Sequence, residues 1–201
     1  MDTKEHIKNI AIKLFSENGF DGTGVRQIAK EANVNVAMIS YYFKSKESLL
    51  ESAVDDVITQ HLSFLEQVEK KQITPFEKLM RVINYNINFI MDNYQISKIV
   101  TFENKLNKRK NIEEKIKNLL QYIYNYMKVL ILQHNSKLSA YKAELIPFMI
   151  HLTLFEFISN PSMVNFLAKG KISNLDDPEI RNDVKEKLLE FMTETTIKLI
   201  S

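Results

Sequence analysis

Between residues 23 and 50, TGVRQIAKEANVNVAMISYYFKSKESLL, two very short helical patterns are separated by a tight turn and followed by a Tyr-Tyr-Phe-Lys-Ser-Lys run. Val25, Ile28, Ala29 and Ala32 recur at helical spacing and share one face, while Arg26, Gln27, Lys30 and Glu31 fall on the other. The pattern breaks at Asn33, and Asn is the residue besides Gly that best tolerates the left-handed conformation ending a helix. Asn35 is a good N-cap, so a second helix is predicted from Val36 to about Tyr42. Ile39 and Phe43 keep its inward face, leaving Asn35, Val36, Ala37, Ser40 and Tyr41 on or near the outward one. Ser45 then caps a further helix with Lys46 in its first turn.

Helix, short turn, helix is the arrangement that lays a second helix in a DNA major groove while the first crosses the phosphate backbone. Spacing alone does not separate it from an ordinary pair of packed helices. The particular residues say more. Phe20, Gly22, Thr23, Val25, Ile28, Ala29, Ala32, Val34, Ile39, Tyr42, Phe43, Lys46 and Leu49 resemble the TetR family of one-component bacterial transcriptional regulators. Its usual run is F-x-G-T-[TS]-V-x-x-I-A-x-x-A-G-V-S-x-G-x-[LI]-Y-x-Y-F-x-x-K-x-x-L. The resemblance implies that Tyr42 and Lys46, with the region around Thr23, contact phosphates and that the helix from Val36 to Tyr42 reads bases. The expected DNA-binding set is Thr23, Gly24, Arg26, Asn35, Val36, Ala37, Ser40, Tyr41, Tyr42, Lys44 and Lys46.

The chain departs from the family run at Gly24, Asn33, Asn35, Ala37 and Ser40. Asn33 stands for the turn Gly and still permits the turn, and Asn35 stands for Ser and still caps. Gly24 lacks the usual hydroxyl, whose part a backbone N–H at the helix start can take. Ala37 and Ser40 replace the common Gly and Tyr, and with Val36 and Met38 they alter the base-reading surface. Small apolar groups there suit thymine methyls, and Ser40 suits a donor or an acceptor.

Net charge adds little, since Lys+Arg number 27 against 25 Asp+Glu. Placement matters more: Arg26, Lys30, Lys44 and Lys46 bracket the recognition segment and suit salt-sensitive phosphate contact. The basic run NKRKNIEEKIK from residue 107 reads as a solvated loop and helix face.

A chain of 201 residues with 45% apolar content buries a substantial core, as one two-part domain or two small ones. The expected division is a helix-turn-helix DNA-binding domain over residues 1–46 and a helical effector-binding and dimerisation domain over residues 47–201. No cysteine means no disulfide framework and no thiolate metal site, which fits a reducing cytoplasm. The start MDTKEHIKNI has no apolar signal core and no run approaches a membrane span, so a cytosolic protein without a membrane partner is expected.

The rest reads as helix throughout. Ile7, Ile10, Ala11, Leu14 and Phe15 form a first stripe that stops at Asn18 and Gly19. With the helix-turn-helix it makes a three-helix head. A long helix follows from Ser45 to about Lys70. Thr74, Pro75 and Glu77 form a capping box opening the next, and Asp177 with Pro178 opens the last. Further helices are expected over 95–107, 112–134 and 139–160, with a short one after Pro161. The fold class is therefore all-α: a three-helix head and a helical ligand-binding and dimerisation body.

The segment 139–160 is apolar nearly all round and must be covered on two sides. A second copy of the chain is the economical cover, with Phe148, Leu152, Phe155, Glu156, Leu188, Phe191 and Thr195 as the expected homodimer interface. Two recognition helices on one two-fold axis then match a palindrome. The resemblance also implies a small-molecule pocket in the body. Its expected lining is Phe64, Asn86, Phe89, Phe102, Glu103, Tyr122, Tyr126, His151 and Phe155, for a largely apolar effector, although core packing explains many such residues equally well.

Nothing asks for catalysis. His6, His61, His134 and His151 are dispersed, no G-x-S-x-G or Walker-type motif occurs, and no cofactor or metal is expected. The sequence thus points to a ligand-responsive regulator, most directly a repressor that binds palindromic double-stranded operator DNA as a homodimer and is released by a small effector. The alternatives are a corepressor-dependent or activating regulator, and a helical ligand-binding or interaction dimer that no longer binds DNA.

Overall fold

The computed structural model describes residues 2–106, 108–160, 175 and 177–201. The described residues form nine helices and no strand: α1 Thr3–Asn18, α2 Val25–Glu31, α3 Val36–Phe43, α4 Lys46–Glu69, α5 Pro75–Asp92, α6 Tyr94–Leu106, α7 Lys110–His134, α8 Ala140–Ser159 and α9 Pro178–Ile200. The short helix expected after Pro161 lies outside the described residues.

Most boundaries trace to single side chains. α1 stops at Gly19, whose φ of 73° suits a residue without Cβ. Three residues on, a Cβ at Gly22 would stand 2.4 Å from the Asn18 carbonyl oxygen, so the α1–α2 loop closes only around glycine. α5 opens on the expected capping box: Glu77 N–H donates to Thr74 Oγ1 at 3.2 Å, and Thr74 N–H donates to Glu77 Oε2 at 2.8 Å. The Thr74 backbone N–H, then its hydroxyl, hold the Glu77 carboxyl below its ordinary value. Asp177 Oδ1 accepts from Glu179 N–H at 2.9 Å ahead of Pro178 at the first position of α9. Inside α8 the buried Pro147 has no N–H to give the carbonyl one turn back.

The chain forms two compact units. One comprises Met1–His61 and Gln95–Ile116, the other Leu62–Tyr94 and Lys117–Ser201. In the first, Ile7, Ala11 and Leu14 of α1, Ile28 and Ala29 of α2, Ile39 and Phe43 of α3, and Leu49 and Leu50 of α4 are buried. Here α2 packs on α1 and on α3. Lys8 of α1 is buried too, with Glu5 at 2.8 Å and Asp56 of α4 as its ion partners. In the second unit, Leu79, Val82, Ile83 and Ile87 of α5 share one core with Leu130 and Ile131 of α7, Ile150 and Leu154 of α8, and Val184, Leu188 and Met192 of α9. α9 lies along α5 and touches α8. Fully burying one such Ile or Leu contributes about 1.5–3 kcal/mol before conformational entropy is counted. Among the described residues, no helix is long and apolar enough to cross a membrane.

Candidate nucleic-acid interface

α2 and α3 are joined by a turn closed by backbone bonds. Val34 N–H donates to the Ala29 carbonyl at 2.9 Å and Asn33 N–H to Lys30 at 3.1 Å, the paired bonds of a Schellman motif, with Asn33 at φ 53°. Two residues later the Asn35 side chain accepts from Ala37 N–H at 2.9 Å and starts α3. The orientation of α3 is therefore fixed at its amino end by two asparagines. Its carboxyl end is fixed by Lys44 at φ 64°: Lys44 N–H reaches the Ser40 carbonyl at 3.0 Å and Ser45 N–H reaches Phe43 at 2.7 Å. That is a γ-turn with positive φ, a strained geometry held by the residues on either side. Ser45 Oγ then accepts from Ser48 N–H at 3.0 Å at the start of α4.

With α3 held so, Ile39 and Phe43 face the core while Asn35, Val36, Ala37, Ser40 and Tyr41 are exposed. Tyr41 is 81% exposed, its ring edge-on to that of the half-buried Tyr42 with centroids 5.1 Å apart. Gly24, Arg26 and Lys44 are exposed as well. A Cβ at position 24 would meet nothing within 4 Å.

Two members of the expected DNA-binding set are committed inside the protein. Thr23 is 1% exposed, and its hydroxyl donates to the Gly19 carbonyl at 2.8 Å and shares the Leu14 carbonyl at 3.1 Å. Lys46 Nζ donates to the carbonyls of Phe20 at 2.7 Å and Thr23 at 2.8 Å and stands 4.2 Å from the centre of the Phe20 ring. Both brace the α1–α2 loop, where a short hydroxyl and a flexible ammonium meet backbone carbonyls, that of Phe20 also accepting the Thr23 N–H at 3.2 Å.

The basic run after α6, expected as a solvated face, is organised otherwise. Arg109 is largely buried, donating to Glu103 Oε2 at 2.6 Å and to Asp21 Oδ1 at 2.7 Å, with its guanidinium 3.7 Å from the centre of the Phe20 ring. Lys108 also reaches Asp21, at 3.0 Å. The Lys108 hydrogen bond, partly offset by desolvation and joined by the charges of Lys108 and Arg109, holds the Asp21 carboxyl below the usual range. Lys115 bridges Glu51 at 2.8 Å and Asp55 at 2.6 Å, and Asn111 donates to Glu51. Sequence periodicity carries no sign of these pairs, since Asp21 and Arg109 are 88 residues apart.

The residues expected around an effector fall in both units. Glu103 is 4% exposed and taken by Arg109, so it serves the first unit as a counter-ion, and Phe102 beside it is exposed. Tyr122 is exposed too. The others form two aromatic groups within the second unit. Phe64 stacks on Tyr85 at 3.8 Å, and Tyr85 leans on Phe89 at 5.9 Å. His151 stands edge-on to Tyr124 at 5.6 Å and beside Phe155 at 6.0 Å. Burial lowers the imidazole pKa of His151. Asn86 donates to the Val82 carbonyl at 2.8 Å, and Tyr126 to Glu69 at 2.8 Å.

Of the residues expected to meet a second copy, Phe148, Leu152 and Phe191 are exposed, and Phe155, Glu156 and Thr195 are half-buried. Leu188 is not at the surface. At 2% exposure it belongs to the stripe Val184, Leu188, Met192, Thr196 that α9 turns inward, one turn apart at each step.

Comparison with known proteins places this geometry. The TetR_N model, described as bacterial regulatory proteins of the tetR family, matches residues 9–53, from α1 into α4. Over 102 residues the chain is 36% identical to a probable HTH-type transcriptional regulator, YttP, of Bacillus subtilis, an alignment covering 50% of this chain and 49% of that relative's length. The structure of the transcriptional regulator FadR from Bacillus subtilis in complex with stearoyl-CoA aligns with a TM-score of 0.64 at 24% identity, covering 92% of this chain and 97% of the other. That of AibR in complex with isovaleryl coenzyme A and operator DNA aligns at 0.69 and 13% identity, covering 94% and 97%. Likeness at these identities carries the fold alone. Residues 9–53 thus match the helix-turn-helix of the tetR family of bacterial regulatory proteins, and the all-helical fold behind them is similar to that of solved transcriptional regulators.

Proposed function

We propose that the protein is a ligand-responsive repressor that binds a palindromic operator as a homodimer and is released by a small-molecule effector, acting in the cytoplasm. The observation that carries this is α3: Val36, Ala37, Ser40 and Tyr41 project from a helix fixed at both ends, with exposed Arg26 and Lys44 beside it. Residues 1–46 hold the base-reading and phosphate-contacting groups, among them Tyr42, and residues 47–201 hold the effector and the second copy. Thr23 and Lys46 serve by shaping the loop that seats α2.

The exposed apolar side chains Phe148, Leu152 and Phe191 support a homodimer, since a surface rich in large apolar groups marks a protein contact. The aromatic groups of the second unit suit a largely apolar effector, and acyl thioesters of coenzyme A are the first class to try because two regulators of similar fold are described with such molecules. Effector binding would favour a conformation in which the two heads no longer match the half-sites, so DNA affinity falls by linkage.

The test is fluorescence anisotropy on the DNA immediately upstream of the protein's own gene, across a salt series and against scrambled competitor. Salt-sensitive, competitor-resistant binding of two chains per site supports the reading. Binding no tighter than to scrambled DNA, with or without stearoyl-CoA, would favour a helical dimer without DNA function. Arg26→Ala and Tyr42→Ala should weaken binding across all sequences, whereas Val36→Ala and Ser40→Ala should change which sequence is preferred.

A further inference from the structure

The α1–α2 loop, residues 19–24, is the only covalent link between α1 and α2, and α2 packs against α3. Phe20 is buried in that loop, its ring tilted at 42° to that of Phe15 with centroids 5.1 Å apart, and two cations, Lys46 and Arg109, stand over it. Lys46 comes from the start of α4, within the matched helix-turn-helix segment. Arg109 comes from outside it, from the turn between α6 and α7. A guanidinium at 3.7 Å from a ring centre is in stacking contact, and its planar fork bonds two carboxylates while it stacks. One of those carboxylates, Glu103, is buried on α6, and the other, Asp21, is exposed in the loop itself. The remaining nitrogen, Nε, is buried without a partner among the described residues, so the group is held by stacking and two ion pairs.

We propose that Arg109 is a positioning residue for DNA binding: anchored to Glu103, it grips Phe20 and Asp21 and so sets where α2, and α3 packed on it, stand when α3 meets an operator. The inference rests on the DNA-binding reading given above. Lys115 on Glu51 and Asp55, with Asn111 on Glu51, makes a second clasp from α7 to α4 within the same unit. The Arg109 clasp differs in seizing the α1–α2 loop itself, through Phe20 and Asp21.

The experiment compares wild type, Arg109→Gln and Arg109→Lys by anisotropy on the upstream duplex over a salt series, with stoichiometric titration giving the active fraction and hydrogen exchange reporting the Thr23 and Val25 amides. Expected for Arg109→Gln is a roughly tenfold loss of operator affinity with full active fraction and faster exchange in the loop, as for residues coupled in one network. The slope of affinity against salt stays at the wild-type value, because no phosphate contact is removed. Arg109→Lys keeps the charge but cannot stack and fork together, and it recovers only part of the loss.

Unchanged affinity in Arg109→Gln, or a slope smaller by about one, which would make Arg109 a direct phosphate contact, overturns the proposal. If Arg109→Gln has a reduced active fraction, Arg109→Lys decides, and wild-type affinity in that variant also overturns it. If the wild type binds no DNA selectively, the DNA-binding reading itself fails. Loop exchange in the wild type and Arg109→Gln then still shows whether Arg109 holds Phe20 and Asp21.

Discussion

The recognition segment and the helical core of the second unit are both built from helices, yet they are specified in opposite ways. From Gly19 to Ser45 the path of the chain turns on single atoms: a missing Cβ at Gly22, left-handed Asn33, the amide oxygen of Asn35, the hydroxyl of Thr23. The second unit relies on long stripes, such as Leu79, Val82, Ile83 and Ile87 of α5 against Val184, Leu188 and Met192 of α9. Short helices cannot average out one wrong residue, whereas long ones can. The helix-turn-helix therefore tolerates little change in its frame, whereas a core built on stripes can be repacked with less disturbance.

That contrast can be broken experimentally. The largest effect is expected for Gly22→Ala, whose added methyl collides with the Asn18 carbonyl oxygen and should cost about 2–3 kcal/mol in urea unfolding, against under about 1.5 kcal/mol for Leu188→Met in the core. Equal costs would remove the distinction. Next comes Phe191→Glu. At 56% exposure Phe191 gives the single chain little, so sedimentation should show the proposed homodimer weakened roughly thirtyfold, or about 2 kcal/mol, with monomer stability kept. Leu188→Ala should do the reverse, lowering the stability of the chain itself.

A smaller change, about 1 kcal/mol, is expected for Asn35→Ala, which removes the cap of α3. Operator affinity should fall with it, and retention of full affinity would mean that α3 is organised by DNA. The gentlest test concerns acid. Burial depresses the His151 pKa in the folded state, so below the ordinary value of 6.5 the unfolded chain takes up the proton first. Stability should then decline as pH falls from 6.5 toward the folded-state value, and His151→Phe should flatten that slope in denaturant titrations. Residues 23–46 contain no histidine, so a slope persisting in His151→Phe would have to arise elsewhere.

What could be read beforehand follows the same division. Asn33, Asn35, the Thr74 and Glu77 box and Asp177 announce helix ends because each bonds within a few residues of itself, and the structure places ends at all of them. The outward face of α3 was legible from spacing for the same reason. Periodicity places Leu188 with Phe191 on the outer face because both are apolar, and only the packing of α9 on α5 separates their directions. Arg109, Glu103 and Lys115 were illegible as partners. An ion pair between distant segments has no period and looks, residue by residue, like solvated surface.

The outward residues of α3 carry a consequence for how such a protein changes over generations. Val36, Ala37 and Ser40 lie on the exposed face, while Ile39 and Phe43 alone anchor the helix inward and Asn35 caps it. Substitutions at those three positions should be nearly silent for folding, so if α3 reads bases as proposed, the vocabulary of sequences read can drift without a stability toll and a duplicated gene can acquire a new address while keeping its architecture.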